Sequence, residues 1–297
     1  MHMIETRDGT HLYAKSWGEG RPVILIHGWP LSADSWDPVA LALSENGFRA
    51  IAYDRRGFGR SEQPYKGYDY DTFADDLSDV MKAQDATQDA ALIGFSMGGG
   101  EIARYLSRHG SSGIDRVALV SSVVPYMLQT PDNPHGVPQA TFDQMTEGMR
   151  KDRAAFFTGF FKDFYGVGML SSPVSDELLH LSWITAMQSG LHPTLAAAKA
   201  FATTDFRPDL ASFTMPTLLI HGTADKTVPI DATARAVAKA VPHAQLIEYD
   251  GEPHGVFATQ TDRLTRDFLA FLTGQEPAMP QLVRDELTRE TLVMPML

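Results

Sequence analysis

Two hydrophobic periods alternate along this chain. Short apolar runs at 22–26, 49–53, 90–94, 117–121, 217–221 and 244–249 are bounded by Gly, Pro and Asp, and are too brief for helices. They read as strands buried on both faces. Between them lie longer stretches, as at 101–106, which read as helices. Strand-helix alternation of this kind predicts a mostly parallel sheet with helices on both faces. Ahead of it, residues 4–14 alternate around Asp8-Gly9, the mark of an opening β-hairpin. The two hairpin strands and the six runs predict an eight-stranded sheet.

The alternation breaks between 125 and 213. This stretch opens on turn formers (Pro125, Pro131, Asp132, Asn133, Pro134, Gly136, Pro138) and continues as helices containing Phe156, Phe157, Phe160, Phe161 and Phe164. The sheet resumes at Thr217, so the stretch reads as a helical cap inserted after the sixth core strand. The predicted division is a core of 1–124 and 214–273, a cap of 125–213 and a tail of 274–297. Tail residues Leu282, Val283, Leu287, Leu292, Val293, Met294, Met296 and Leu297 are too apolar for a solvated end. They predict packing on protein, with a short amphipathic helix over about 281–290.

Against this frame one short motif carries chemistry. Gly94-Phe95-Ser96-Met97-Gly98 lies between the run at 90–94 and a helical stretch. In a strand-turn-helix, G-x-S-x-G holds a serine hydroxyl on a sharp turn at a helix N-terminus. A serine hydroxyl is a weak nucleophile unless a base and an orienting acid stand beside it. The chain offers both at later strand ends, in the order Ser, Asp, His. Asp225 follows the run at 217–221, and His254 lies in the turn after 244–249.

The other candidates fit less well. Asp231 reads as the cap of a helix over 231–240, and Asp250 is too near His254 in sequence to orient its ring. His221 adjoins the acid rather than following the last strand. His27 reads as a structural hydrogen-bonding histidine, and His109, His135, His180, His192 and His243 as surface or packing residues. An oxyanion formed at Ser96 needs two N–H donors: Met97 directly after the serine, and one from the loop His27-Gly28-Trp29-Pro30. Pro30 has no N–H, which leaves Trp29. Asp54-Arg55-Arg56-Gly57-Phe58-Gly59 fits no phosphate-loop spacing and reads as a structural loop whose aspartate and arginines pair with one another.

These residues carry a resemblance. Beside the elbow, His27-Gly28-Trp29-Pro30, the run from Tyr53 to Ser61, the run from Tyr68 to Leu77 and Thr204-Asp205-Phe206-Arg207-Pro208-Asp209 resemble the α/β-hydrolase superfamily. The narrower likeness, covering the chain to about residue 273, is to its cofactor-free haloperoxidase, perhydrolase and aryl esterase branch. The resemblance implies the α/β-hydrolase fold and a serine carboxylesterase acting on small esters through an acyl-enzyme. It also implies peroxide as a second acyl acceptor, no cofactor and a homo-oligomer. Strand-end proximity and the resemblance together put Trp29, Val123, Phe164 and Val228 on the pocket. A lactamase-type amide hydrolase and a slow, triad-bearing ligand receptor are the alternatives.

Composition narrows the partners. With 37 acidic against 25 basic residues the net charge is −12, which disfavours nucleic acid and anionic membranes. No apolar run reaches the roughly 20 residues that cross a bilayer. No cysteine is present, so disulfides and thiolate chemistry are excluded. No His, Asp and Glu cluster has metal-ligand spacing. The bland expectation for location is the cytoplasm.

Overall fold

The computed structural model describes residues 2–169 and 171–275. Eight strands form one sheet: β1 (His2–Glu5), β2 (His11–Trp17), β3 (Arg21–Ile26), β4 (Phe48–Tyr53), β5 (Ala90–Phe95), β6 (Ile114–Val120), β7 (Thr217–Gly222) and β8 (Ala244–Tyr249). Their spatial order is β1-β2-β4-β3-β5-β6-β7-β8. The β1–β2 hairpin turns at Asp8-Gly9, where Gly9 has φ 85°. β2 pairs antiparallel with β4, and every later pairing is parallel. The expected sheet is therefore present: five of the six predicted runs lie inside an observed strand, and the run at 117–121 ends one residue past β6. Every residue of β5 and β7 is buried, because these strands lie between helical layers and water reaches neither face.

The core helices are α1 (Asp37–Glu45), α2 (Tyr70–Ala83) and α3 (Met97–His109) ahead of the cap, and α7 (Ala234–Ala240), α8 (Val256–Thr259) and α9 (Thr261–Thr273) after it. The Asp69 carboxylate starts α2 by accepting the Thr72 N–H at 2.9 Å. α7 departs from expectation. It begins at Ala234, so Asp231 does not cap it and binds Arg235 at 2.8 Å instead. The reason is a preceding turn at Ile230, whose carbonyl takes the N–H groups of Thr233 and Arg235.

Between β6 and β7 lie α4 (Gln139–Phe164), α5 (Asp176–Gln188), α6 (Leu191–Thr203) and a 3₁₀ turn at Arg207–Ser212. α4 breaks at Asp152 (φ −157°, ψ 91°), whose carboxylate accepts the Ala155 N–H and so caps the second half as a new helix. In that half Phe157, Phe161 and Phe164 recur at helical spacing and are buried. Residues 276–297 lie outside the described residues, and the expectations of a packed tail and a helix at 281–290 fall there. Among the described residues no helix is long and apolar enough to cross a membrane.

The loop arginines also differ from expectation. Asp54 pairs with Arg60 at 2.8 Å, whereas Arg55 pairs with Glu101 of α3, and Arg56 with Asp76 and Asp8. Arg55 and Arg56 are buried where the chain leaves β4, and their side chains reach partners distant in sequence.

Candidate active site

The site is built on strand ends. β5 ends at Phe95 and α3 begins at Met97, so Ser96 alone makes the turn, with φ 52° and ψ −116°. Steric exclusion explains the flanking glycines. A Cβ on Gly94 would stand 2.6 Å from the Gly98 carbonyl oxygen, and one on Gly98 would stand 2.5 Å from that of Ile26. A β-carbon at either position would push strand and helix apart. The Ser96 N–H is held by the Val120 carbonyl at 2.8 Å.

His254 Nε2 lies 3.0 Å from Ser96 Oγ, and His254 Nδ1 lies 2.6 Å from Asp225 Oδ2. The three residues, up to 158 positions apart in sequence, meet in one hydrogen-bonded line. All are buried: Ser96 is 6% exposed, Asp225 8% and His254 1%. Asp225 Oδ1 accepts the N–H groups of Thr227 and Val228, both at 2.8 Å. Burial by itself would push the Asp225 carboxyl up, but His254 beside it and the hydrogen bonds from His221 and His254 outweigh burial and hold it well below the ordinary range.

The His254 backbone is also anchored. Ser121, at φ 44° directly after β6, donates its hydroxyl to the His254 carbonyl at 3.1 Å. The His254 and Phe164 rings meet edge to face, with centroids 4.8 Å apart and planes at 81°. Neither Ser121 nor Phe164 in this role is legible in the sequence, because each acts on a residue far along the chain.

The loop after β3 closes against the serine. A Cβ on Gly28 would stand 2.9 Å from Ser96 Cβ and 2.6 Å from the Phe95 ring. Among the described residues the N–H groups of Trp29 and Met97 have no hydrogen-bond partner. His27 reads correctly as structural. Its Nε2 accepts the Arg55 N–H at 3.0 Å, and its Nδ1 meets the Gly28 carbonyl at 2.9 Å. Burial first, then the charge of Arg55, hold this ring well below the usual histidine range. Arg55 also donates to the His27 carbonyl at 2.7 Å while its Nε meets Glu101. Glu101 in turn takes the Tyr53 hydroxyl. The loop after β3 and helix α3 are thus tied through one buried ion pair.

Ser96 and His254 open into a cavity of about 160 Å³ under the cap. Trp29, Val123 and Val228 line it. Phe164 does not: it lies behind His254, and Phe160, one turn earlier on α4, lines the cavity instead. Both are on one helix face, and the seating of α4 on the core decides which reaches the cavity. Met127, Val137, Phe142, Met145 and Phe201 complete the apolar wall, with Asp163 and Lys226 as its charged residues. Phe142 and Met145 have the helical spacing that would have revealed them; Met127 and Val137 carry no local signal. Among the described residues no three His, Asp or Glu side chains gather as metal ligands do. The arrangement can generate an alkoxide-like serine, hold an oxyanion between two N–H groups and accept a small apolar acyl group.

Comparison with known proteins agrees. Residues 21–261 match the family described as alpha/beta hydrolase fold. The chain is 40% identical over 274 residues to the non-heme chloroperoxidase CPO-A1 of Kitasatospora aureofaciens, covering 92% of this chain and 99% of that protein. It is 36% identical over 275 residues to the bifunctional esterase/perhydrolase DCH of Acinetobacter calcoaceticus, with the same coverage. Among solved structures, a bromoperoxidase from Bacillus anthracis superposes with a TM-score of 0.88 at 40% identity, covering 92% of this chain and 99% of that one.

Proposed function

This chain belongs to the alpha/beta hydrolase family, in its cofactor-free haloperoxidase and perhydrolase branch, and we propose that it is a serine esterase in which Ser96, His254 and Asp225 form the catalytic triad. The observation that carries this reading is the line of contacts from Ser96 Oγ through His254 to Asp225, 3.0 Å and 2.6 Å long. Ser96 Oγ attacks the ester carbonyl while its proton passes to His254 Nε2. Asp225, hydrogen-bonded to Nδ1, orients the ring and stabilises the imidazolium. The N–H groups of Trp29 and Met97 hold the oxyanion, each donor of this kind lowering the barrier by roughly 2.7–4 kcal/mol. Collapse expels the alcohol, protonated by His254, and leaves the acyl group on Ser96.

Two acceptors then compete. Water, deprotonated by His254, gives the carboxylic acid and free serine. Hydrogen peroxide by the same path gives the peroxycarboxylic acid and free serine, and that peracid oxidises halide in solution. The cavity of about 160 Å³ sets the acyl partner. A dry apolar cavity on the order of 150 Å³ holds one benzene ring, so short-chain or single-ring acyl groups fit and long chains do not.

Hydrolysis of p-nitrophenyl acetate tests the assignment, with and without peroxide as competing acceptor. Ser96→Ala should lower kcat by several orders of magnitude while the melting temperature stays near that of the parent. Substantial turnover by a purified Ser96→Ala protein would remove Ser96 from the role.

A further inference from the structure

Two imidazole rings share the Asp225 carboxylate. Its Oδ2 lies 2.6 Å from His254 Nδ1 and 3.1 Å from His221 Nε2. His221 belongs to β7 and is wholly buried. Its Nε2 also lies 2.9 Å from the Val228 carbonyl. A carbonyl only accepts, so Nε2 carries the proton and donates it to Val228, with Asp225 Oδ2 standing beside the same N–H. His221 Nδ1 is buried and has no hydrogen-bond partner among the described residues. A protonated ring would leave a second N–H unsatisfied there, so the geometry selects the neutral form with hydrogen on Nε2. Buried polar groups without partners are uncommon and call for a reason. A Leu at this position would fill the space with no orphaned nitrogen, and would give Asp225 no donor.

We infer that His221 is a positioning residue of the esterase site: its Nε2–H, fixed by the Val228 carbonyl, sets the positive end of a dipole beside Oδ2 and keeps the Asp225 carboxylate facing His254. This rests on the triad reading above. A carboxylate already surrounded by N–H dipoles stabilises an imidazolium less than a bare one does. His221 therefore moderates the pull of the acid on the His254 ring.

The charged surroundings are simple. Asp225 faces His221 from the turn after β7. From β8, Glu248 is its register partner and acts on it electrostatically. Glu248 is bound by Arg235 of α7, which also binds Asp231. His254 is flanked by the rings of Phe95 and Phe164.

Three variants test the inference: His221→Gln, whose amide nitrogen reaches the place of Nε2; His221→Asn, which ends one carbon short; and His221→Leu, which has no donor. Each is examined by the pH dependence of kcat/KM on p-nitrophenyl acetate, by melting, and by the low-field proton resonance of the His254–Asp225 hydrogen bond. The Asn and Leu variants should move the acid limb to higher pH by about half to one unit, the shift worth one ordinary hydrogen bond. They should also shift the low-field resonance and lower kcat more than they raise KM. The Gln variant should keep the parental limb and resonance. Folded Asn and Leu variants with unmoved limb and resonance would overturn the inference. If the Leu variant does not fold, the Asn and Gln pair, alike in polarity, decides alone. Failure of the triad reading looks different: His254→Gln would then leave the parental rate unchanged.

Discussion

The indole N–H of Trp29 donates to the backbone carbonyl of Thr194 at 3.1 Å, so a residue of the loop beside Ser96 is bonded to cap helix α6. Its ring also packs on Phe157, Phe160 and Phe201 at centroid distances of 5.3–5.6 Å. The backbone of Trp29 belongs to the loop after β3 while its side chain packs among α4 and α6. The loop after β3 is thus tied to the helices between β6 and β7.

Trp29→Phe removes that bond and keeps an aromatic ring. The loss of an ordinary hydrogen bond should cost about 1 kcal/mol of stability, lowering the melting temperature by roughly 2–4 °C. If the loop is held through the cap, kcat should fall severalfold as the N–H of residue 29 loses its aim. Unchanged kcat with a lowered melting temperature would separate the two.

His27 gives a pH dependence of stability. Its ring is held neutral in the fold, below the ordinary value of 6.5, by burial and then Arg55. The unfolded chain binds a proton there that the native protein refuses. The stabilisation is therefore fully present above about pH 6.5 and is lost as pH falls from there toward the folded value. His27→Asn does not titrate, so its melting temperature should fall less than that of the parent between pH 7.5 and 5.5. Parallel decreases would assign the acid sensitivity elsewhere.

Phe160→Ala should enlarge the acyl cavity, since Phe160 lines it and packs on Trp29 at 5.3 Å. The preferred p-nitrophenyl ester should move from acetate or butyrate toward longer chains. Truncating a packed phenylalanine costs about 3–5 kcal/mol where the site cannot collapse, so melting should drop as well. Phe164→Ala, behind His254, should lower kcat without changing the chain-length order. An unaltered preference in Phe160→Ala would place the acyl group elsewhere.

Pro30 bears on the choice between water and peroxide. It supplies no N–H, and among the described residues no donor bonds the Trp29 carbonyl before it. A carbonyl turned toward the acyl site accepts the second O–H of an incoming peroxide, a bond worth about 1 kcal/mol and hence roughly fivefold in the acceptor ratio. Pro30→Leu should lower the ratio of perhydrolysis to hydrolysis by that factor. An equal ratio in both proteins would make Pro30 a stiffener of the loop.

Much of this was legible in the chain because it is local. The spacing Gly94-x-Ser96-x-Gly98 states a steric requirement that is local at Gly94, which faces Gly98, and is completed at Gly98 by Ile26 of β3. The period of two along the hairpin and the unbroken apolar runs of the later strands follow from which faces water can reach. Once the strands are in order, the ends carrying Ser96, Asp225 and His254 follow in order too. Asp231 misled because a carboxylate ahead of an alanine-rich stretch looks like a cap, while the turn at Ile230 had already delayed the helix.

What tertiary structure alone decided is which way side chains face once distant segments meet. Phe160 and Phe164 are equivalent on the helix, and only the seating of α4 on the core sends one to the cavity and the other behind His254. Arg55 finds Glu101 across 46 residues, and Ser121 finds the His254 carbonyl across 133. Such pairings depend on the angle and depth at which whole elements pack, summed over many contacts of about 0.1–0.2 kcal/mol each, and no short stretch of sequence contains that sum.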